Sequence, residues 1–577
     1  MSDLRVFRRR AIFCAALFLS LLTAAAAASA EAGREEFTRS FQKTLPLKAG
    51  QKLSIESRNG DIRVRTHSEP QVSIDAKIRV SSSDREGAEK FSNEIRIEVE
   101  TGGEGVSVRT VFPEKKWHFE GKGFISYSVD YEITMPEAAL LTARNRFGDV
   151  EVTGLKAAGD VLNGNGKVVF RDTRGRQRIE NSFGAVEMTG NAGDATLINQ
   201  NGTVTATDIQ GDLEVRDRFG RVSVTKVSRR CQVTNGNGDV LLADVVGEAN
   251  VTSSFGKIDV RNVGGTLGVQ NTNGSVTVAG VAGRADLATS FGSLTFSEMK
   301  KEVNVVGTNA TVSGRKVAGA VGLRNTYGPV DLIDIGGSID VENTNGRIHV
   351  RDVKGAAKMT TRFAEIDAAG IGGDATAAGG NGAITLANVD GAADVRGSFG
   401  DIQVTRVKKG AKIVSGNGRV TIADIGGSSF VKTSFALVEA ARVSGDLTVE
   451  DSNSAVRASE IPGSVSVRTS FGAVTLEGVG GAIDVDNQNG AVDIRRLVGK
   501  ACQKISVKTS FAPIRIALPD NASYAVTART SFGKIHSDFS ITTAGALSGE
   551  SLSGKIGDGR CEMTLSDSNG NIEILKK

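Results

Sequence analysis

From Phe147 to Asn489 the chain keeps to one 18-residue pattern without insertion or deletion, and successive units begin alternately on an aromatic and on Asn. The aromatic slots are Phe147, Phe183, Phe219, Phe255, Phe291, Tyr327, Phe363, Phe399, Phe435 and Phe471. The amide slots fall midway, at Asn165, Asn201, Asn237, Asn273, Asn309, Asn345, Asn381, Asn417, Asn453 and Asn489. A period this strict means that each unit stacks on its neighbours and cannot change length without breaking their pairing, which is solenoid behaviour.

Counting each slot as position zero, Gly usually follows at one, apolar residues recur at three, five and eight, and a second alternating set follows at twelve, fourteen and sixteen. Val150, Val152 and Leu155, then Val161, show one unit; Val168, Phe170 and Thr173, then Ile179, show the next. Such alternation predicts two half-buried strands per unit, with turns near positions seven to ten and zero to one. With 70 Gly, 8 Pro and no collagen-like triplet, the composition agrees with many short strands between Gly turns. No six-residue period is present, which argues against a left-handed hexapeptide coil.

Asn-Gly between strands ordinarily suggests a two-residue hairpin of type I′. Phe-Gly does not suit that turn, because it needs positive φ at both central residues. A bend with only the Gly left-handed accepts either residue, so the expected fold is all-β: one long parallel β-helix of about twenty 18-residue units. Parallel crossovers favour the right hand, and a right-handed coil is expected. A 36-residue coil would stack Phe on Phe and Asn on Asn, as side-chain ladders prefer. It would also stack Asp172, Asp208 and Asp244, all at position seven, in unpaired repulsion. The 18-residue coil is therefore preferred.

The expected organisation is an export signal over 1–30, a β-rich N-terminal cap with a short helix over 31–140, the regular solenoid over 141–499, and an irregular end with a cap over 500–577. The first segment has Arg5, Arg8, Arg9 and Arg10 before an apolar run ending in Ala28-Ser29-Ala30. These are signal-peptide features, a retained anchor being the competing reading. Its removal takes four Arg and one Asp and lowers the formal charge from +4 to +1, a balance that gives no support for nucleic-acid binding. No later segment could span a membrane as a helix. Cys231 occupies an inward small-residue position, while Cys502 and Cys561 can pair or stay free. Export to the periplasm, cell surface or medium is expected, with the oligomeric state open.

Two segments resemble a known group. "YSVDYEITMPEAALLTARNRFGDVEVTG", Tyr127 to Gly154, and "GESLSGKIGDGRCEMTLSDSNGNIEI", Gly549 to Ile574, are similar to the entry and closing elements of the bacterial putative-adhesin proteins of β-strand repeats, related in style to head-GIN adhesin domains. The resemblance covers nearly the whole exported chain. It implies export, a β-solenoid and an adhesive surface role toward a polymer or protein, and supplies no catalytic residues.

Candidate sites each have a structural reading beside the functional one. The aromatic column can be a sugar-stacking strip, but core filling is the simpler expectation. The Asn column is most simply a run of turn residues bonding their own backbone. Asp172, Asp208, Asp244, Asp352 and Asp424 at position seven suit Asx turns better than calcium ligation. The basic pairs Arg229-Arg230, Lys300-Lys301 and Lys408-Lys409 form either a weak binding edge for acidic polymers or solvated charge guarding a bend. His67, His118, His349 and His536 are scattered, with no metal spacing and no nucleophile motif. No cofactor, metal site or catalytic residue is expected, and the reading is a non-enzymatic interaction scaffold. A carbohydrate-active β-helix, binding or cleaving polysaccharide, is the alternative.

Overall fold

The structure is a computed structural model and describes residues 35–83, 85–113, 125–498, 502–543 and 548–577. The segment read as an export signal lies outside the described residues, among which no helix is long and apolar enough to cross a membrane. Two compact units divide the chain, Met1–Gly247 and Glu248–Lys577.

In the first unit, from Leu140 onward, each strand pairs in parallel with its counterpart one 18-residue period later. One sheet carries the register Val161–Ile179–Leu197–Val215–Val233, and the other Val150–Val168–Val186–Val204–Val222–Val240. One coil is therefore a single 18-residue unit with two strands, and Phe and Asn slots alternate coil by coil. Inward positions three and five are buried, as Val204 and Ala206 show, and so is Ile209 at eight. Strict alternation would bring position seven inward instead. The shift comes from a left-handed residue at seven: Asp172, Asp208, Lys226 and Asp244 have φ of 51°, 60°, 58° and 58°. One such residue acts as a bulge that changes the face of the residues after it. This corrects the Asx-turn reading of the Asp column, since Asp is one of the residues that tolerate the left-handed region while Lys226 occupies the same bend. Gly190 and Lys226 separate the three aspartates, which removes the like-charge stack a 36-residue coil would create.

The start of this unit departs from simple stacking. The first coil, Lys52–Glu56 and Ile62–His67, is not outermost: it sits between Leu140–Phe147 with Val150–Thr153 on one side and Gly105–Val111 with Ile125–Pro136 on the other. Antiparallel strands then cover both open edges, Arg96–Gly102 on Gly105–Val111, and Gln71–Ser82 followed by Glu35–Pro46 on Ile125–Pro136. The helix Arg85–Glu94 buries Ala88 and Phe91, and Arg39 Nη2 donates to Ser92 O at 2.8 Å. Covered edges cannot recruit strands from other molecules.

The second unit repeats the 18-residue register from Ala249 to Asn487 in one sheet and from Ile258 to Arg495 in the other. Its bends again use left-handed residues, among them Asn262, Asp334, Asp352, Asp424 and Arg442. At its end the chain order inverts as at the start. Ile505–Lys508 pairs with Cys561–Ser566, which pairs in turn with Tyr524–Arg529, capped by antiparallel Ser551–Ile556. The last coil is thus inserted beneath an earlier one. Cys502 and Cys561 form a disulfide with Cα atoms 4.9 Å apart, tying the inserted coil to its neighbour.

Candidate binding surface along the slot edge

Each coil turns at position zero, and the inside of that corner is filled by the residue at sixteen. Asn181, Asn199, Asn235, Asn325, Asn343 and Asn487 are buried there. Asn199 Nδ2 donates to Gly184 O at 3.3 Å and Gly202 O at 3.0 Å; Asn487 Nδ2 does the same to Gly472 O at 2.8 Å and Gly490 O at 2.9 Å. These amides satisfy turn carbonyls that burial would otherwise leave without partners. From Gly148 to Gly328 the Gly at position one carries positive φ, 133° at Gly202, and a Cβ there would come within 2.2 Å of Gly184 O.

With that corner occupied, the aromatic at zero is thrown outward. Exposure runs from 42% at Phe147 to 64% at Phe435, so the expected core column is a surface column. The expectation failed because alternation through twelve, fourteen and sixteen was extended across the turn, where it no longer holds. The signal that would have corrected it was Asn at an inward position two residues before the slot.

In the first unit the column reads Asn59, Phe147, Asn165, Phe183, Asn201, Phe219, Asn237 on successive coils. The Arg146 and Arg218 guanidiniums lie over Phe147 and Phe219 at 5.4 and 5.5 Å from the ring centroids. In the second unit it begins Phe255, Asn273, Phe291, Asn309, Tyr327. Backbone bonds one position away continue it: Asn345 N to Thr326 O, Asn381 N to Arg362 O, Phe399 N to Gly380 O, Asn417 N to Ser398 O and Phe435 N to Gly416 O. Asn489 N to Ser470 O carries it past Phe471. Rings on alternate coils stand roughly 9.6 Å apart, twice the strand spacing and beyond ring–ring contact.

Along part of the second unit the slots have uncharged surroundings, while Lys257, Arg347, Arg362, Glu365, Asp401 and Arg419 flank others. On the sheet faces charges pair coil to coil, as in Lys432–Glu450 at 3.2 Å, Arg457–Glu439 at 3.2 Å and Lys358–Asp340 at 3.4 Å. Beside the slots Asn273 to Tyr327 the flanking residues are Thr272, Ser275, Ser290, Ser293, Thr308, Thr311, Thr326 and Pro329, none of them charged. The same holds from Ser434 to Leu437, Ser452 to Ala455, Ser470 to Ala473 and Gln488 to Ala491.

The basic pairs lie at the other bend and are exposed. Lys408 Nζ is 2.8 Å from Asp390 and Lys409 Nζ 3.9 Å from Asp374, so this edge carries acidic partners with its lysines. Arg230 N–H is accepted by Asp212 Oδ1 of the preceding coil at 3.2 Å. His349 Nδ1 lies 3.0 Å from Asp331 and Arg351 Nη2 2.6 Å from Asp367, a ladder of side chains bonded to one another. His536 pairs with Asp538 at 3.0 Å, and His118 lies outside the described residues. Among the described residues no group of three or more His, Cys, Asp or Glu could hold a metal ion. Cys231 is buried at its inward position, and burial pushes its thiol up to about 12.

The model of the family described as Toastrack DUF4097 matches residues 50–313 and 337–575. No curated protein matches the chain. Among solved structures, a putative cell adhesion protein from Clostridium sporogenes ATCC 15579 is similar at 11% identity over 38% of this chain and 99% of its own, with a TM-score of 0.17. A putative lipid binding protein from Parabacteroides distasonis ATCC 8503 (TM-score 0.19) and a putative adhesin from Parabacteroides merdae ATCC 43184 (TM-score 0.18) are each 11% identical over 53% of this chain and 97% of their own.

Proposed function

The chain belongs to the Toastrack DUF4097 family, and on that footing we propose that it is an exported, non-enzymatic interaction scaffold that holds a partner at the cell surface or in the periplasm. The observation that carries this reading is the slot edge: a regular file of half-exposed rings and amides on a surface whose faces carry ion pairs from coil to coil. Exposed aromatic side chains repeated in register, which the fold does not bury, suit contact with a partner. A solenoid gives such a file what a small domain cannot, identical contacts repeated at a fixed interval.

The alternative of a polysaccharide lyase would use a cluster of carboxylates with Lys or Arg on one face. The nearest grouping is Asp331, His349, Arg351 and Asp367, and its members are engaged with one another. Fractionation of the native cells, followed by detection of the chain, tests export; recovery in the cytosolic fraction would sink it. Incubating the purified chain with polysaccharides and assaying newly formed chain ends tests the absence of catalysis.

A further inference from the structure

We propose that the slot edge of the second unit is a platform for a neutral, extended β-1,4-linked glycan, a proposal that rests on the interaction-scaffold reading and names its partner. The rings of the column take the apolar faces of every second sugar, and the amides between them take sugar hydroxyls.

Four observations point there. The rings do nothing for one another, since two coils separate them by roughly 9.6 Å. The coil itself does not require the alternation either, because neighbouring slots of the two kinds share one backbone: Gly256 and Gly292 after Phe have φ of 120° and 122°, and Gly274 after Asn has 134°.

The alternation also survives where the chain order is inverted. After Asn489 the next coils in space carry Phe511, then Asn569, then Phe532, although Phe532 precedes Asn569 in sequence. Asn569 N donates to Ser510 O and Phe532 N to Ser568 O, both at 2.9 Å, and the two Phe are 65% and 82% exposed. Two unequal forward intervals and one backward step along the chain thus yield the same ring–amide–ring order on the surface. What is maintained is a spatial pattern, not a sequence period.

Finally, the edge is uncharged between Thr272 and Pro329 at every slot and its immediate flanks, where Ser, Thr and Asn dominate. An anionic polymer or lipid surface would call for cations. An extended β-1,4-linked glycan turns each ring over relative to the last, so one face recurs at every second sugar, as one ring recurs at every second coil. A second copy of this chain, interdigitating its rings, would press them onto the Asn amides and bury those amides without partners, an unfavourable desolvation. A glycan brings hydroxyls to the same place.

The test uses the full chain and oligosaccharides of two to six sugars in three β-1,4-linked series, of glucose, mannose and N-acetylglucosamine. Maltohexaose serves as the α-linked control and neutral phosphatidylcholine vesicles as the lipid control. Calorimetric affinity in one series is expected to rise at least about tenfold from disaccharide to hexasaccharide, as further rings engage. The triple variant Phe291→Ala, Tyr327→Ala, Phe363→Ala is expected to lose at least about tenfold with its thermal unfolding unchanged, and Phe291→Tyr to retain binding. No binding in any series, equal binding by the triple variant, preference for vesicles, or a triple variant that only dissociates a dimer in sedimentation would each overturn the proposal. Chain exported but silent toward all glycans refutes the platform alone. Cleavage of a bound hexasaccharide would refute the non-enzymatic reading and support the platform.

Discussion

Replacing Phe291 by Ala removes a ring that is 49% exposed, and the expected loss of stability is below about 1 kcal/mol. Asn325→Ala is expected to cost more, about 1–3 kcal/mol, because its buried Nδ2 serves the carbonyls of Ala310, Tyr327 and Gly328 at 2.9, 2.7 and 3.2 Å. Hydrogen exchange of the amides in the flanking coils measures both, and a larger effect at Phe291 would put the ring back in the core. Asp217 stands at the same inward corner where other coils place Asn. Burial pushes its carboxyl up to about 6. The native state therefore holds a proton that the unfolded chain has released, and stability falls as the pH rises from about 4 to about 6. Asp217→Asn is expected to abolish that slope in pH-dependent thermal unfolding and to stabilise the first unit at pH 7. A wild-type curve flat across this window would contradict the assignment.

Strands and bends answer differently to a change of length. Within a strand such as Val276–Val281, one added residue sends every later side chain of that strand to the wrong face. In a bend, added residues leave the register on either side intact. The protein shows this itself: the interval from Asn489 to Phe511 exceeds the regular one by four, yet Ile483 still pairs with Ile505 and Val492 with Ile514. One residue inserted after Val278 is expected to abolish exchange protection in the neighbouring coils, while two glycines inserted after Gly283 are expected to leave it within about 1 kcal/mol of the parent. Equal damage from both would mean that the bends, too, are tightly specified. The strands were legible in the sequence because positions three, five, twelve and fourteen carry their own alternation. The corner was not, because alternation describes a strand and says nothing about which way a chain leaves it.

Across the second unit the Cys502–Cys561 bond joins residues 59 apart and fixes an inserted last coil against Ile505–Lys508. Constraining a loop of that size in the unfolded chain stabilises by about 2–4 kcal/mol. Cys502→Ser is therefore expected to speed proteolysis of the C-terminal coils while cleavage within the first unit keeps its rate. Unchanged proteolysis there would show that the antiparallel cap and the strand pairing suffice. The 18-residue coil, its two strands, the parallel pairing and the inward position of Cys231 were all readable from the amino-acid order alone, since each coil touches its neighbours at a constant offset and repeats the same local evidence. Three matters belonged to the tertiary structure. The outward turn of the rings depends on what fills the corner beneath them; the insertion of the first and last coils depends on which open edge each end meets; and the disulfide depends on that insertion bringing two distant cysteines together. The last two are contacts between parts with no fixed separation along the chain, so no period could have announced them; the first turns on the residue two before each slot, which the period carries but strand alternation does not interpret.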